Sequence, residues 1–99
     1  MELIKDEVFT FKLNSGEELM GKVKEFNDAY ILITEPVSVA PSPQGIGLVP
    51  SMFTADTSVS ARLNTNSISL IAPTEDSVKM KYLEATTGIQ VPSKKIVLG

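Results

Sequence analysis

The sequence contains no cysteine and no histidine. The first absence excludes disulfides, thiolate metal sites and cysteine nucleophiles. The second leaves only oxygen donors, chiefly carboxylates, for any metal, and removes the usual base for a serine nucleophile. No cofactor and no metal is therefore expected. No run approaches the roughly 18 apolar residues of a membrane span, and Met1 to Glu7 lack the apolar stretch of a signal peptide. The expectation is a soluble, cytoplasmic protein with no membrane partner. Basic runs are scarce too: none is longer than Lys94-Lys95, and net charge is −3. A duplex DNA binder usually carries a strongly basic face. This balance argues against duplex DNA but leaves single-stranded RNA open.

What is present is ordinary globular composition, with 42% hydrophobic and 21% charged residues over 99 positions. That length suits a single domain, 1–99. Its core is modest, because a chain this short buries only about 60–70% of its unfolded surface.

Hydrophobic alternation marks the first part of the chain as β. Phe9, Phe11 and Leu13 alternate with Thr10 and Lys12, as in a half-buried strand. Asn14-Ser15-Gly16 is a turn by composition. Leu19, Gly21 and Val23 alternate with Met20, Lys22 and Lys24, which completes a hairpin. Phe26-Asn27-Asp28-Ala29 is a second turn, and Tyr30 to Thr34 reads as a central strand. Pro36 cannot donate to a ladder and weakens pairing there. Ala40 to Gly45 reads as a loop. Gly47 to Ala55 is a further strand candidate, continued after a bend by Ser58 to Leu63. Asn64-Thr65-Asn66 is a tight turn, and Ser67 to Ala72 a short last strand. The period then changes. Thr74 is a candidate cap, Glu75 and Asp76 suit a helix start, and Val78, Tyr82 and Ala85 share one face over 74–87. Gly88 fits the position past the helix end. The tail, 89–99, carries two lysines and the apolar patch Ile96-Val97-Leu98.

Charge is unevenly spread. Between Val37 and Thr74 only Asp56 and Arg62 are charged. Exposed sheet edges are usually protected by charge. Either this middle region is a locally apolar core, or its strand edges pair with a neighbouring copy.

The segment Val8 to Pro36 resembles the first motif of the Sm-like family: a strand ending in leucine, a glycine three residues on, a second glycine five beyond, a hydrophobic residue, a Phe-Asp pair and an apolar strand. Here these are Leu13, Gly16, Gly21, Val23, Phe26-Asn27 and Tyr30 to Ile33, with Asn27 in place of the acid. Leu63-Asn64-Thr65-Asn66-Ser67-Ile68 has the length and place of the second motif, but Asn64 and Thr65 stand where that motif has Arg-Gly. The resemblance covers about two thirds of the chain and is greatest to small Sm-like proteins of marine phages that infect cyanobacteria. It implies a mainly β fold: a bent five-stranded antiparallel, SH3-like barrel spanning 8–72, here with a C-terminal helix over 74–87. It also implies a homo-oligomeric ring of roughly five to seven subunits, with a pentamer favoured, in the host cytoplasm if the chain is of phage origin.

In RNA-binding relatives, bases sit in pockets built from two turns. The corresponding positions here point to Asn27, Asp28, Tyr30, Asn64 and Asn66. Aligned without a gap, Ala29 and Ile31 fall at the stacking and base-reading positions, where neither suffices. A one-residue shift brings Tyr30, a good stacking platform. Asn64 and Asn66 can hydrogen-bond a base edge or a sugar hydroxyl, but asparagine in place of arginine forfeits cation stacking and phosphate attraction. Each residue also has an ordinary reading: Tyr30 as a core aromatic, and the asparagines as turn formers.

Catalysis has little to work with. Glu17-Glu18 and Glu75-Asp76 are adjacent acids, but neighbours on a strand face opposite ways, and acids opening a helix are usually solvated. A Ser-Lys pair stays open. Gly16-x-x-x-x-Gly21-Lys22 imitates a phosphate loop, yet Val23 follows it inside a strand. The sequence is thus read as a non-enzymatic ring subunit that binds RNA or single-stranded nucleic acid at pore-facing turns. The alternative is a structural or adaptor ring that binds protein partners.

Overall fold

The computed structural model describes residues 2–56 and 58–87; Gly88 and the tail, 89–99, lie outside them. Six strands and one helix follow in order: β1 (Val8–Leu13), β2 (Glu18–Phe26), β3 (Tyr30–Ser42), β4 (Gly45–Pro50), β5 (Ala61–Asn64), a single 3-10 turn (Thr65–Ser67), β6 (Ile68–Pro73) and α1 (Asp76–Thr87). All pairings are antiparallel. The strand order is β4-β3-β2-β1-β6, with β5 pairing the first part of β3.

The mainly β reading with a C-terminal helix is what the structure has. Two finer expectations are corrected. There are six strands rather than five, and the sheet is not closed into a barrel. The extra strand arises because the Gly47–Ala55 and Ser58–Leu63 segments are not one bent strand. β4 starts earlier, at Gly45, and stops at Pro50; β5 starts only at Ala61. The supposed loop at Ala40–Gly45 is also mostly strand. β3 runs on to Ser42 and turns back at once, with Gly45 at φ +123° supplying the left-handed backbone.

β3 is long enough, at 13 residues, to serve two partners on one side. Tyr30–Ile33 pairs with β5, and Val37–Ser42 pairs with β4. On its other side it pairs with β2 from Ile31 to Ser38, and the register slips between Lys22↔Thr34 and Met20↔Val37. That slip leaves one extra residue on β3, a bulge at Glu35 and Pro36. A bulge is where a strand tolerates proline, so pairing bends at Pro36 instead of ending. Glu35 takes φ +52°, a left-handed backbone that costs a non-glycine residue about 1 kcal/mol or more.

The bent sheet buries both faces. On one, Phe9, Phe11, Leu19, Val23, Ile31 and Ile33 form a core, with Leu63, Ile68 and Ile71 packed against it. Gly21 is needed there: a Cβ on it would lie 3.0 Å from Cβ and Cδ1 of Ile33. On the other face Val8, Met20 and Val37 are covered by Tyr82, Val78 and Leu83 of α1. Alternation alone assigns Met20 to the polar side with Lys22 and Lys24, yet it is 0% exposed, because the helix lands on it.

Tyr82 fixes the helix to the bulge. Its hydroxyl lies 3.0 Å from the Thr34 carbonyl and 2.9 Å from the Glu35 carbonyl, at the point where the register slips. Burial, and then the nearby Glu35 charge, push this phenol well above the ordinary tyrosine range. The helix starts at Asp76 and not at Thr74, and the Thr74 side chain is engaged elsewhere. Its hydroxyl pairs with that of Thr10 at 2.8 Å, and the first helical amides, Val78 and Lys79, donate to the Glu75 carbonyl. No helix among the described residues is long and apolar enough to cross a membrane.

Candidate nucleic-acid interface

Tertiary structure brings the turn around Asn27–Tyr30 against the turn at Asn64–Ser67. Asn27 builds the first turn. Its Oδ1 accepts from the amides of Ala29 (2.8 Å) and Tyr30 (3.0 Å), and its own amide donates to the Tyr30 carbonyl. That is an Asx turn, so the ordinary reading of Asn27 holds for its oxygen. Thr65 joins the turns. Its amide donates to the Ala29 carbonyl (3.0 Å), and its hydroxyl lies 2.8 Å from the Asp28 carbonyl and 3.0 Å from the Ala29 carbonyl.

Tyr30 and Asn64 are directly paired across β3 and β5. Tyr30 belongs to neither core cluster and is half-buried, which does not match the core-aromatic reading. Arg62 lies over its ring, the guanidinium carbon 5.1 Å from the centroid. Cation–π contacts of this kind contribute about 0.5–1 kcal/mol at exposed positions. Asn66 is held through its backbone: its carbonyl accepts from Asn14 Nδ2 at 2.8 Å, and Ser69 Oγ donates to Asn14 Oδ1 at 2.6 Å. The side chains of Asn27, Asp28, Asn64 and Asn66 are exposed.

The five residues singled out from the sequence therefore gather at one end of the sheet. Arg62, Thr65 and Asn14 were missed. Arg62 carried a signal: it is the one cation between Val37 and Thr74, and it precedes Asn64 by two, which on a strand places both on one face. Thr65 and Asn14 act through partners more than 30 residues away in sequence, which no local pattern announces.

The other candidates fall apart in space. Gly21 and Lys22 lie inside β2, paired with Phe9 and Val8, and form no phosphate loop. Among the described residues no three carboxylates lie close enough to hold a metal ion. No family model matches the chain, and no curated protein matches it.

Proposed function

We propose that the chain is an Sm-like subunit whose copies join edge to edge into a closed ring, and that the ring binds RNA or another single strand at the end where the two turns meet. The observation that carries the binding half is the junction of Ala29 and Thr65. It holds an aromatic face (Tyr30), a cation (Arg62) and amide side chains (Asn64, Asn66) within one small surface. Stacking platforms beside a positive charge, with amides able to meet base edges, are what single strands require.

The assembly half is supported by the free edges. β4 and β6 end the strand order, each is six residues long, and neither carries a charged residue. Leu70 on β6 is 66% exposed, and Ile46 and Val49 on β4 are exposed as well. Edges of equal length at opposite ends of a sheet pair head to tail. Repetition of that contact gives a ring or a filament, and closure removes both of these edges. A pentamer remains the favoured size within a ring of roughly five to seven.

The test is native mass spectrometry combined with fluorescence anisotropy on short U-rich and A-rich RNAs at two salt concentrations. A closed oligomer with salt-dependent micromolar binding supports the proposal. A monomer at high concentration, or no binding, overturns it.

One observation favours the second reading, an adaptor ring for protein partners. Phe53, in the connection after β4, is 82% exposed beside exposed Met52. Recovery of a specific protein on a tagged ring, abolished in Phe53→Ser, would select that reading.

A further inference from the structure

The change of partner along β3 leaves a notch. β4 departs after Pro50 and β5 arrives at Ala61, so Thr34 to Pro36 have no strand on that side. The last bond before the gap is from the Ser51 amide to the Pro36 carbonyl, 3.2 Å. A cavity of about 210 Å³ occupies the notch, with Leu19, Ile33, Pro36, Met52 and Leu63 as apolar walls and Arg62 at its rim. Its polar lining includes Glu17 and Ser51.

These polar groups are locked in one sense. Buried Ser38 donates its hydroxyl proton to Glu17 Oε2 at 2.6 Å, and its oxygen lies 2.9 Å from Ser51 Oγ. Ser38 has one proton and has given it to the carboxylate. Ser51 must therefore be the donor in the second bond, which leaves Ser51 only lone pairs to offer. The polar end of the notch then presents acceptors in the Glu17 carboxylate, whose Oε2 already takes the Ser38 proton, and in the Ser51 oxygen, with Arg62 the one charged donor of the lining. A ligand at the carboxylate has to bring donors, and the rest of its body has to lie against apolar walls. The cavity is smaller than the roughly 300 Å³ of drug-sized sites, so one base fits better than a longer ligand.

We propose that this notch binds a guanine base. Guanine offers adjacent N1–H and 2-amino donors that a carboxylate accepts as a parallel pair, and Arg62 is the one cation in the lining to meet its phosphate. The site lies on the single subunit and does not depend on ring closure.

The experiment is calorimetric titration of the full chain with GMP, IMP and AMP, alongside native mass on the same sample. IMP lacks the 2-amino donor, and AMP lacks both the N1–H and the 2-amino group. GMP is expected to bind at least about tenfold tighter than either, the effect of removing one hydrogen bond to a charged acceptor. Glu17→Gln, shown by circular dichroism to keep its fold, should weaken GMP affinity at least about tenfold. Absence of saturable GMP binding, equal affinity for GMP and AMP, or an unchanged affinity in Glu17→Gln overturns the proposal. The ligand ranking is read on the unaltered chain, so a variant that fails to fold does not remove the test. A GMP-binding monomer would sink the ring while leaving this site intact.

Discussion

Arg62 stacks on Tyr30, its guanidinium carbon 5.1 Å from the ring centroid, although 32 residues separate them in sequence. The pair is a diagonal one across paired strands, since Tyr30 faces Asn64 and Leu32 faces Arg62 in the ladder. It places the chain's isolated cation on the proposed base platform.

Removing either partner should weaken RNA binding in different ways. Tyr30→Ala is expected to cost about 1–3 kcal/mol per stacked base. Arg62→Ala should cost less, about two- to fivefold in affinity. It should also lower the slope of log K against log salt by about 0.7 for each phosphate that the arginine would otherwise neutralise. Anisotropy titrations over a salt series separate the two. Unchanged affinity in Tyr30→Ala would remove the platform from the proposal.

A charge on the free edge should block assembly without unfolding the subunit. Leu70 is mostly exposed in the single chain, so Leu70→Lys should change subunit stability by no more than about 0.5 kcal/mol. In an edge-paired ring that lysine would be desolvated at every interface. Native mass should fall to that of the monomer while the circular dichroism spectrum stays the same. An oligomer that survives the change would place the interface elsewhere.

Gly21→Ala tests the close approach of β2 and β3. The new methyl group would sit 3.0 Å from Cβ and Cδ1 of Ile33, deep in the core. Overpacking of this kind costs about 1–3 kcal/mol. Urea denaturation should show the destabilisation as a lower midpoint, and adding Ile33→Val should restore part of it by removing the Cδ1 clash.

Tyr82 makes stability depend on alkaline pH. Its folded pKa is raised above the usual value of about 10, chiefly by burial. A group raised in this way contributes stability that is fully present below its unfolded pKa and is lost as pH rises through the folded one. Stability should therefore decline above about pH 10, and the decline should be shallower in Tyr82→Phe. At neutral pH the same variant leaves the Thr34 and Glu35 carbonyls without this donor, a destabilisation of about 1–3 kcal/mol. Denaturant midpoints at pH 7 and pH 11 measure both effects.

Much of the fold was legible because it rests on local alternation. The β1–β2 hairpin, the turn at Asn27 and the helix after β6 are written in residues close to one another, and short-range sterics decide them. Gly16, at φ +99°, is such a case: the turn needs a left-handed residue and the sequence supplies one. Candidate site residues were likewise legible one turn at a time. The Tyr30–Arg62 stack was not, because register between β3 and β5 depends on the whole sheet.

By itself the sequence determined that this is a mainly β chain with a terminal helix, poor in charge through its middle and without thiol or imidazole chemistry. Those properties follow from residue type and from periods of two and 3.6. Only the tertiary structure decided that β3 is shared between two strands, that Met20 and Tyr82 meet across a bulge, and that Glu17, Ser38 and Ser51 line up behind one notch. Each of these joins residues distant along the chain, and their meeting is set by the bend of the sheet and the landing of the helix, which no single stretch of sequence encodes.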